Sequence, residues 1–223
     1  ADDPAVLFYT TGTTGDPKGV LHAQRFLYGH LPCIELSQGG FPQPGAVGWT
    51  PADWAWIGGL MDMSLPCLFY GVPLISHRFE KFDPDAAFAL MEREGVTNTF
   101  LPPTALRLMR QARVPETLRL RAIGSGGEAL GGDLLDWGPA ALGAPINEFY
   151  GQTEANLVIA ACDGPMDRIS GAMGLPVPGH DVQLLGPGDR PVSAGEVGEV
   201  CVRAPDPVMM LRYWNKPEAT AEK

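Results

Sequence analysis

Through its middle the chain alternates short apolar β-like runs with patterns of helical period, and no other feature constrains its fold as strongly. Parallel neighbours in a sheet need a crossover long enough to hold a helix, so this alternation reads as βαβ units around a mainly parallel sheet. Residues 72–76 form the first strand of the series. Asp83 then offers an N-cap, with Pro84 at the first helical position, where a missing N–H costs nothing. Ala87, Phe88, Leu90 and Met91 populate one side of the helix that follows, and Gly95 suits the residue after its end. Residues 96–101 are the second strand. Ala105, Leu108, Met109 and Ala112, at i, i+3, i+4 and i+7, mark a second helix. A strand over 118–123, a short helix over 132–141 and a strand over 145–150 complete four strands and three crossover helices.

Past residue 170 the texture changes to strands punctuated by Gly and Pro, at 181–185 and 199–203, with turn clusters at 186–189 and 194–198. The expected fold class is therefore α/β: a mainly parallel βαβ sheet with flanking helices over 1–170, and a small antiparallel or barrel-like β subdomain, incomplete, over 171–223. With 223 residues and 45% hydrophobic composition the chain can bury a core. Its 28 Gly and 22 Pro stay below the roughly 25–30% that marks low complexity, and read as loops. Residues 54–75 are apolar enough to raise a membrane span, but Gly58, Gly59, Asp62, Pro66 and Gly71 interrupt them, so a buried helix running into a strand is expected and no membrane span.

The net charge of −10 comes from scattered carboxylates, and no run of Lys and Arg tracks a phosphate backbone, so nucleic acid is not an expected partner. Cys33, Cys67, Cys162 and Cys201 lie far apart with no CxxC pair. Neither a zinc site nor a disulfide framework is indicated, and reduced thiols in a cytoplasmic protein are expected. No signal-peptide pattern opens the chain, and it does not begin with Met, as in a processed protein or a piece of a longer one.

The strongest local signal lies near the start, where Thr10, Thr11, Gly12, Thr13, Thr14, Gly15, Asp16, Pro17, Lys18 and Gly19 follow the apolar Leu7-Phe8-Tyr9. Such a loop can wrap phosphates: Gly lets backbone N–H groups approach closely, hydroxyls donate, and the ammonium offsets charge. It is not a Walker A loop, because Lys18 follows Pro17 and precedes a β-like stretch instead of opening a helix. The geometry implied is strand, loop, strand. Two further clusters, Gly124-Ser125-Gly126-Gly127-Glu128 and Gly151-Gln152-Thr153-Glu154, follow the third and fourth strands of the series. Ligands of open α/β sheets bind outside the carboxyl ends of the strands, so if those strands are neighbours both loops meet at one crevice. There Tyr150 is placed to stack on a base, Glu148 or Asn147 to accept from an exocyclic amine, and Glu154 to hold Mg²⁺, which prefers carboxylate oxygen and substrate phosphates.

The loop over 9–19, Gly126-Gly127-Glu128, Tyr150-Gly151-Gln152-Thr153-Glu154 and Gly195-Glu196-Val197-Gly198-Glu199 occur in an order and approximate spacing that resemble the adenylate-forming superfamily. The resemblance spans nearly the whole chain and looks closest to acetyl- and medium-chain acyl-CoA synthetases. It implies that 1–170 is a nucleotide- and acyl-binding subdomain within a larger N-terminal domain. It also implies a two-step reaction: a carboxylate attacks the α-phosphate of ATP to give acyl-AMP and pyrophosphate, then the thiolate of CoA displaces AMP. Carried over residue by residue, Thr10, Thr11, Gly12, Thr13, Thr14, Gly15 and Lys18 would hold the β- and γ-phosphates. Gly127, Glu128, Glu148, Tyr150 and Gly151 would border the adenine, Thr153 would contact phosphate and Glu154 the magnesium. Lys18, Thr153 and Glu154 are the candidate catalytic residues, since charge develops on phosphoryl oxygens and calls for donors and cations.

Members of that superfamily continue to a Thr-Gly-Asp segment, a hinge and a small C-terminal domain carrying a Lys, whereas this sequence stops at Lys223. The expectation is that the 223-residue polypeptide alone is inactive or nearly so. In acetyl-specific relatives a Trp stands where Gly151 stands here, which implies an acid larger than acetate. Trp54, Trp56, Met61, Met63 and Thr104 are candidates for the acyl wall, with plain core packing the competing reading. His22, just past the loop, is a candidate for a site role, and His30 reads as a packing residue. Two alternatives stay open: a non-catalytic nucleotide-binding module, and an amino-acid-adenylating domain, although no carboxylate lies between Trp54 and Leu60 to bind a substrate ammonium.

Overall fold

A computed structural model of the chain describes residues 2–10, 16–164, 169 and 171–223. The chain opens with β1 (Pro4–Tyr9) and β2 (Gly19–Ala23), then α1 (Phe26–Ser37) and β3 (Gly48–Trp49). A helical segment follows: α2 (Ile57–Gly59), a π-turn at Leu60–Ser64 and α3 (Leu65–Tyr70). Next come β4 (Leu74–Ile75), α4 (Pro84–Glu94), β5 (Asn98–Phe100), α5 (Pro103–Met109), β6 (Ala122–Ser125), α6 (Gly132–Trp137), β7 (Ile146–Gln152) and β8 (Ala155–Ala161). The remainder is β9 (Leu175–Pro176), β10 (Val182–Gly186), β11 (Arg190–Pro191), β12 (Glu199–Val202), β13 (Arg212–Tyr213) and α7 (Pro217–Ala221).

The central sheet has the order β4-β3-β5-β6-β7-β8-β9; its first five strands are parallel, and β8 and β9 are added antiparallel. Two small antiparallel sheets, β1-β2-β13 and β11-β10-β12, accompany it. The fold is thus the α/β class read from the sequence. Both faces of the parallel part are covered, as such sheets require. On one face Phe88, Leu106 and Leu134, from α4, α5 and α6, pack with Ile123 and Ile146. On the other, Ile34 of α1 and Met63 of the π-turn pack with Phe100 and Phe149, whose rings stack at 5.7 Å.

Local chemistry explains the best-read element. Asp83 Oδ1 accepts from the N–H groups of Asp85 and Ala86 at 2.9 and 3.1 Å, a cap worth about 1 kcal/mol. Gly95 closes α4 in the left-handed conformation at φ 64°, and Ala87, Phe88, Leu90 and Met91 are its buried side. Residues 57–70 are the helix expected to run into a strand, and among the described residues no helix is long and apolar enough to cross a membrane.

Elsewhere the structure departs from the sequence reading. A further parallel strand, β3, lies between β4 and β5, and at two residues it is too short to show a period. The buried side of α5 is Ala105, Leu106 and Met109; Leu108 is 44% exposed, and the helix ends before Ala112. Leu106 faces the sheet, and that contact, not the spacing of Leu108 and Ala112, sets the phase. Ladder pairing begins at Ala122, so Leu118 and Leu120 are buried without being strand. The short helix after residue 131 relaxes into a π-turn at Gly138–Leu142. Beyond residue 170, β10 and β12 pair antiparallel as expected, while β9 joins the main sheet and β13 pairs with β2.

Candidate nucleotide and acyl site

The phosphate-loop candidate is carried by a hairpin. β1 and β2 pair antiparallel from Pro4↔Ala23 to Tyr9↔Gly19, the strand-loop-strand arrangement read from the sequence. The neck is pinned twice: the Thr10 N–H donates to Lys18 O at 3.0 Å, and the Lys18 N–H donates to Thr10 Oγ1 at 3.3 Å. Thr11, Gly12, Thr13, Thr14 and Gly15 lie outside the described residues.

β6 and β7 are adjacent and parallel, so the loops after them do meet. Between them lies a cavity of about 540 Å³ whose lining includes Gly127, Glu128, Leu130, Glu148, Tyr150 and Gly151. Glu148 Oε1 accepts from the Leu130 N–H at 2.9 Å and so ties the first loop to the second strand. Arg107 reaches Glu128 Oε2 at 3.2 Å and Ala129 O at 3.0 Å, which steadies the same loop. Asn147 has no part in the cavity. It is 1% exposed, its amide donates to Ser37 O at 2.6 Å and its Oδ1 accepts from the Asp163 N–H, so of the two acceptors proposed only Glu148 lines the crevice.

Thr153 and Glu154 form the tight turn between β7 and β8. The apolar run 155–161 is the strand signal that reveals this. The turn is held from two directions. His22 of β2 is fully buried, stacks on Phe26 with ring centroids 3.6 Å apart and donates from Nε2 to Thr153 O at 2.7 Å. Burial lowers the pKa of His22 to about 4, so the ring is neutral, and Nδ1 has no partner among the described residues. From the other side the Tyr213 hydroxyl donates to Glu154 Oε1 at 2.5 Å, and Lys18 Nζ sits 4.9 Å from the Tyr213 ring centroid. Burial, and then Glu154, raise the Tyr213 phenol above its ordinary range. Tyr213 is therefore the residue that brings Lys18 and Glu154 together, and only its apolar neighbourhood hinted at it in the sequence.

Among the described residues no three His, Cys, Asp or Glu side chains cluster as a metal cage. Glu154, with one oxygen engaged by Tyr213, fits a magnesium ion that keeps waters and substrate phosphates as its other ligands.

Gly151 is set by a close approach. A Cβ there would stand 2.3 Å from Leu157 N and 2.7 Å from Asn156 Cα, beside the irregular register between Tyr150 and Gln152. Gly151→Ala is expected to destabilise the chain by about 1–3 kcal/mol through overpacking, read as a fall of several degrees in melting temperature. A Trp at this position needs β8 to move, so the absence of a side chain at 151 is first a demand of the backbone.

Of the acyl-wall candidates, Trp56 lines a second cavity beside Gly127 and Gly151; Met61 and Met63 are core, and Trp54 and Thr104 are exposed. That cavity is also lined by Asp62 and Asn156, neither of them a site candidate from the sequence. The signal for Asp62 was there: a lone carboxylate inside an apolar run.

The fold and its residues define an AMP-binding enzyme. The chain belongs to that family, whose pattern matches residues 1–214. It is 30% identical over 222 residues to an uncharacterised acyl-CoA ligase, YtcI, of Bacillus subtilis (strain 168), covering 97% of this chain and 41% of that protein. It is 33% identical over 229 residues to a feruloyl-CoA synthase of Amycolatopsis sp, covering 99% of this chain and 44% of that protein. Among solved structures, ATP-bound MatB of Rhodopseudomonas palustris superposes with a TM-score of 0.82 at 28% identity, covering 100% of this chain and 43% of that one. The chain thus spans less than half the length of these relatives.

Proposed function

We propose that the full-length protein carrying this chain is an acid–thiol ligase: it joins a carboxylic acid to AMP at the expense of ATP, then transfers the acyl group to CoA. The observation that carries the reading is the convergence of Lys18, Tyr213 and Glu154 beside Thr153, which lines the cavity that adjoins the β6–β7 crevice. In this reading Thr10 through Gly15 and Lys18 hold the β- and γ-phosphates, and Gly127, Glu128, Glu148, Tyr150 and Gly151 border the adenine. Thr153 contacts phosphate, and Glu154 is the protein ligand of Mg²⁺, which supplies positive charge against the phosphoryl oxygens. Relatives named as acyl-CoA ligase and feruloyl-CoA synthase, and an ATP-bound neighbour, support the class. An acid larger than acetate is proposed because the second cavity continues from the first at Gly127, Phe149 and Gly151. Residues 1–170 form the nucleotide- and acyl-binding part, to which the β-rich 171–223 lends Tyr213. Four cysteines in no disulfide, three of them buried, support a cytoplasmic setting.

The test is acid-dependent pyrophosphate release by the full-length protein, over acids from acetate through medium-chain and aromatic ones. Release with a larger acid, at least tenfold above that with acetate, is expected. ATP–Mg²⁺ binding without release for any acid would instead assign a non-catalytic nucleotide-binding module, and release only with amino acids an amino-acid-adenylating domain.

A further inference from the structure

The second cavity, of about 180 Å³, has aromatic walls and a polar floor. Trp56 and Phe149 flank it, both packed against Phe100 with ring centroids 5.7 Å away. At its floor Asp62 is 4% exposed and Asn156 6% exposed. Asn156 Nδ2 donates one hydrogen to Asp62 Oδ1 at 2.8 Å and the other to His30 Nε2 at 3.0 Å. His30 in turn donates from Nδ1 to Phe26 O at 2.8 Å. The donor and acceptor roles along this chain are all determined: with Nε2 accepting, His30 is neutral, and burial lowers its pKa to about 3. The Asn156 amide is fully spent as a donor. Among the described residues none donates to Asp62 Oδ2, although the carboxyl lines the cavity.

A carboxyl oriented by a relay through one oxygen, with the other open to the cavity, fits a group whose remaining partner is a ligand. An aliphatic acid would strand it. Burial holds the Asp62 proton well above the usual carboxylate range, and a neutral carboxyl can both accept from and donate to a hydroxyl. Thr153 and Gln152 also line this cavity. In the reading above Thr153 contacts phosphate, so an acid held with its carboxylate there and filling the cavity can bring its far end to Asp62.

We propose that Asp62 is a specificity-determining residue, selecting a carboxylic acid that has a flat apolar body and, at its far end, a hydroxyl or an amine that hydrogen-bonds its carboxyl. The inference rests on the acid-activating reading above and names the substrate class of that site.

The test is a ratio. Pyrophosphate release by the full-length protein is measured as kcat/KM for isosteric pairs: phenylacetate against 4-hydroxyphenylacetate and 4-aminophenylacetate, and hexanoate against 6-hydroxyhexanoate. A preference of about 10- to 100-fold for at least one donor-bearing partner is expected, because the analogue lacking the donor leaves the site's polar group unpaired. Asp62→Leu is expected to collapse that ratio to within threefold of unity. Asp62→Asn, which preserves shape if the Leu variant fails to fold, should reduce it at least fivefold. Equal turnover of both members of every pair by the wild type, or a ratio that survives both substitutions, overturns the proposal while leaving acid activation intact. Silence with every acid overturns the acid-activating reading, and this inference with it.

Discussion

Glu154→Ala in the full-length protein is expected to lower acid-dependent pyrophosphate release by about 10²–10³-fold, the usual effect of removing one preorganised electrostatic contact to developing charge. The geometry makes the loss specific. Glu154 spends one oxygen on the Tyr213 hydroxyl and sits in a tight turn whose backbone is held by His22 and by the Met210 N–H, which donates to Glu154 O at 2.8 Å. Losing the side chain leaves that backbone frame in place. Glu154→Gln separates the two roles the carboxylate can have. An amide oxygen still accepts from Tyr213, so a residue kept only for packing would tolerate Gln and lose little. A residue kept for its charge beside Mg²⁺ and phosphate would not, and Gln should be nearly as damaging as Ala, with a raised magnesium requirement. Tyr213→Phe is the complementary control: the ring under Lys18 persists, only the hydrogen bond to Glu154 goes, and a loss of about tenfold or less is expected from one hydrogen bond. Wild-type rates in Glu154→Gln would assign Glu154 to the packing around Tyr213 and remove it from the site.

How far all this was legible in the sequence depends on the range of the interaction involved. The Asp83 cap and the Gly95 stop are chemistry within a few residues, and α4 has the bounds they mark. The crevice was legible for a similar reason: two loops each follow a strand, and the rule for where α/β sheets bind needs only that the strands be neighbours. What could not be read were contacts whose partners are remote in sequence. Tyr213 meets Glu154 across 59 residues, and Asp62 meets Asn156 across 94. Asn147 and Glu148 are consecutive and looked equivalent, yet in a strand successive side chains point to opposite faces, so one lines the crevice and the other is spent in the core. The phase of α5 failed for a related reason, since two apolar stripes overlapped and only the neighbouring sheet selects Leu106 over Leu108. Gly151 lines both cavities, and the backbone of β8, a strand whose approach no local pattern marks, also leaves no room for a side chain there.

Acid should weaken the chain well before its carboxylates as a group are protonated. His22 and His30 are fully buried and neutral, with pKa values lowered chiefly by burial to about 4 and about 3 from 6.5. As pH falls below 6.5 the unfolded chain takes up a proton at each ring and the folded chain does not, so stability is complete above 6.5 and is lost as pH falls toward the folded values. At about 1.4 kcal/mol per unit, lowering pH from 6.5 to 5 withdraws about 2 kcal/mol for each ring, and for the two together an amount comparable to a large share of a domain's net stability. Asp62 acts in the opposite sense. Its pKa is raised by burial, so its contribution is complete below the unfolded carboxylate pKa and is lost as pH rises through the folded one. Across the same window it therefore offsets part of the histidine loss. Urea unfolding of the 223-residue chain at pH 6.5 and pH 5 should show a net fall smaller than the histidine sum. Asp62→Asn, which keeps a side chain at the floor but cannot hold the extra proton, should steepen that fall. A flat profile in Asp62→Asn would mean that His22 and His30 take up protons in the folded state, and that neither the Thr153 tether nor the Asn156 relay is built on a neutral ring.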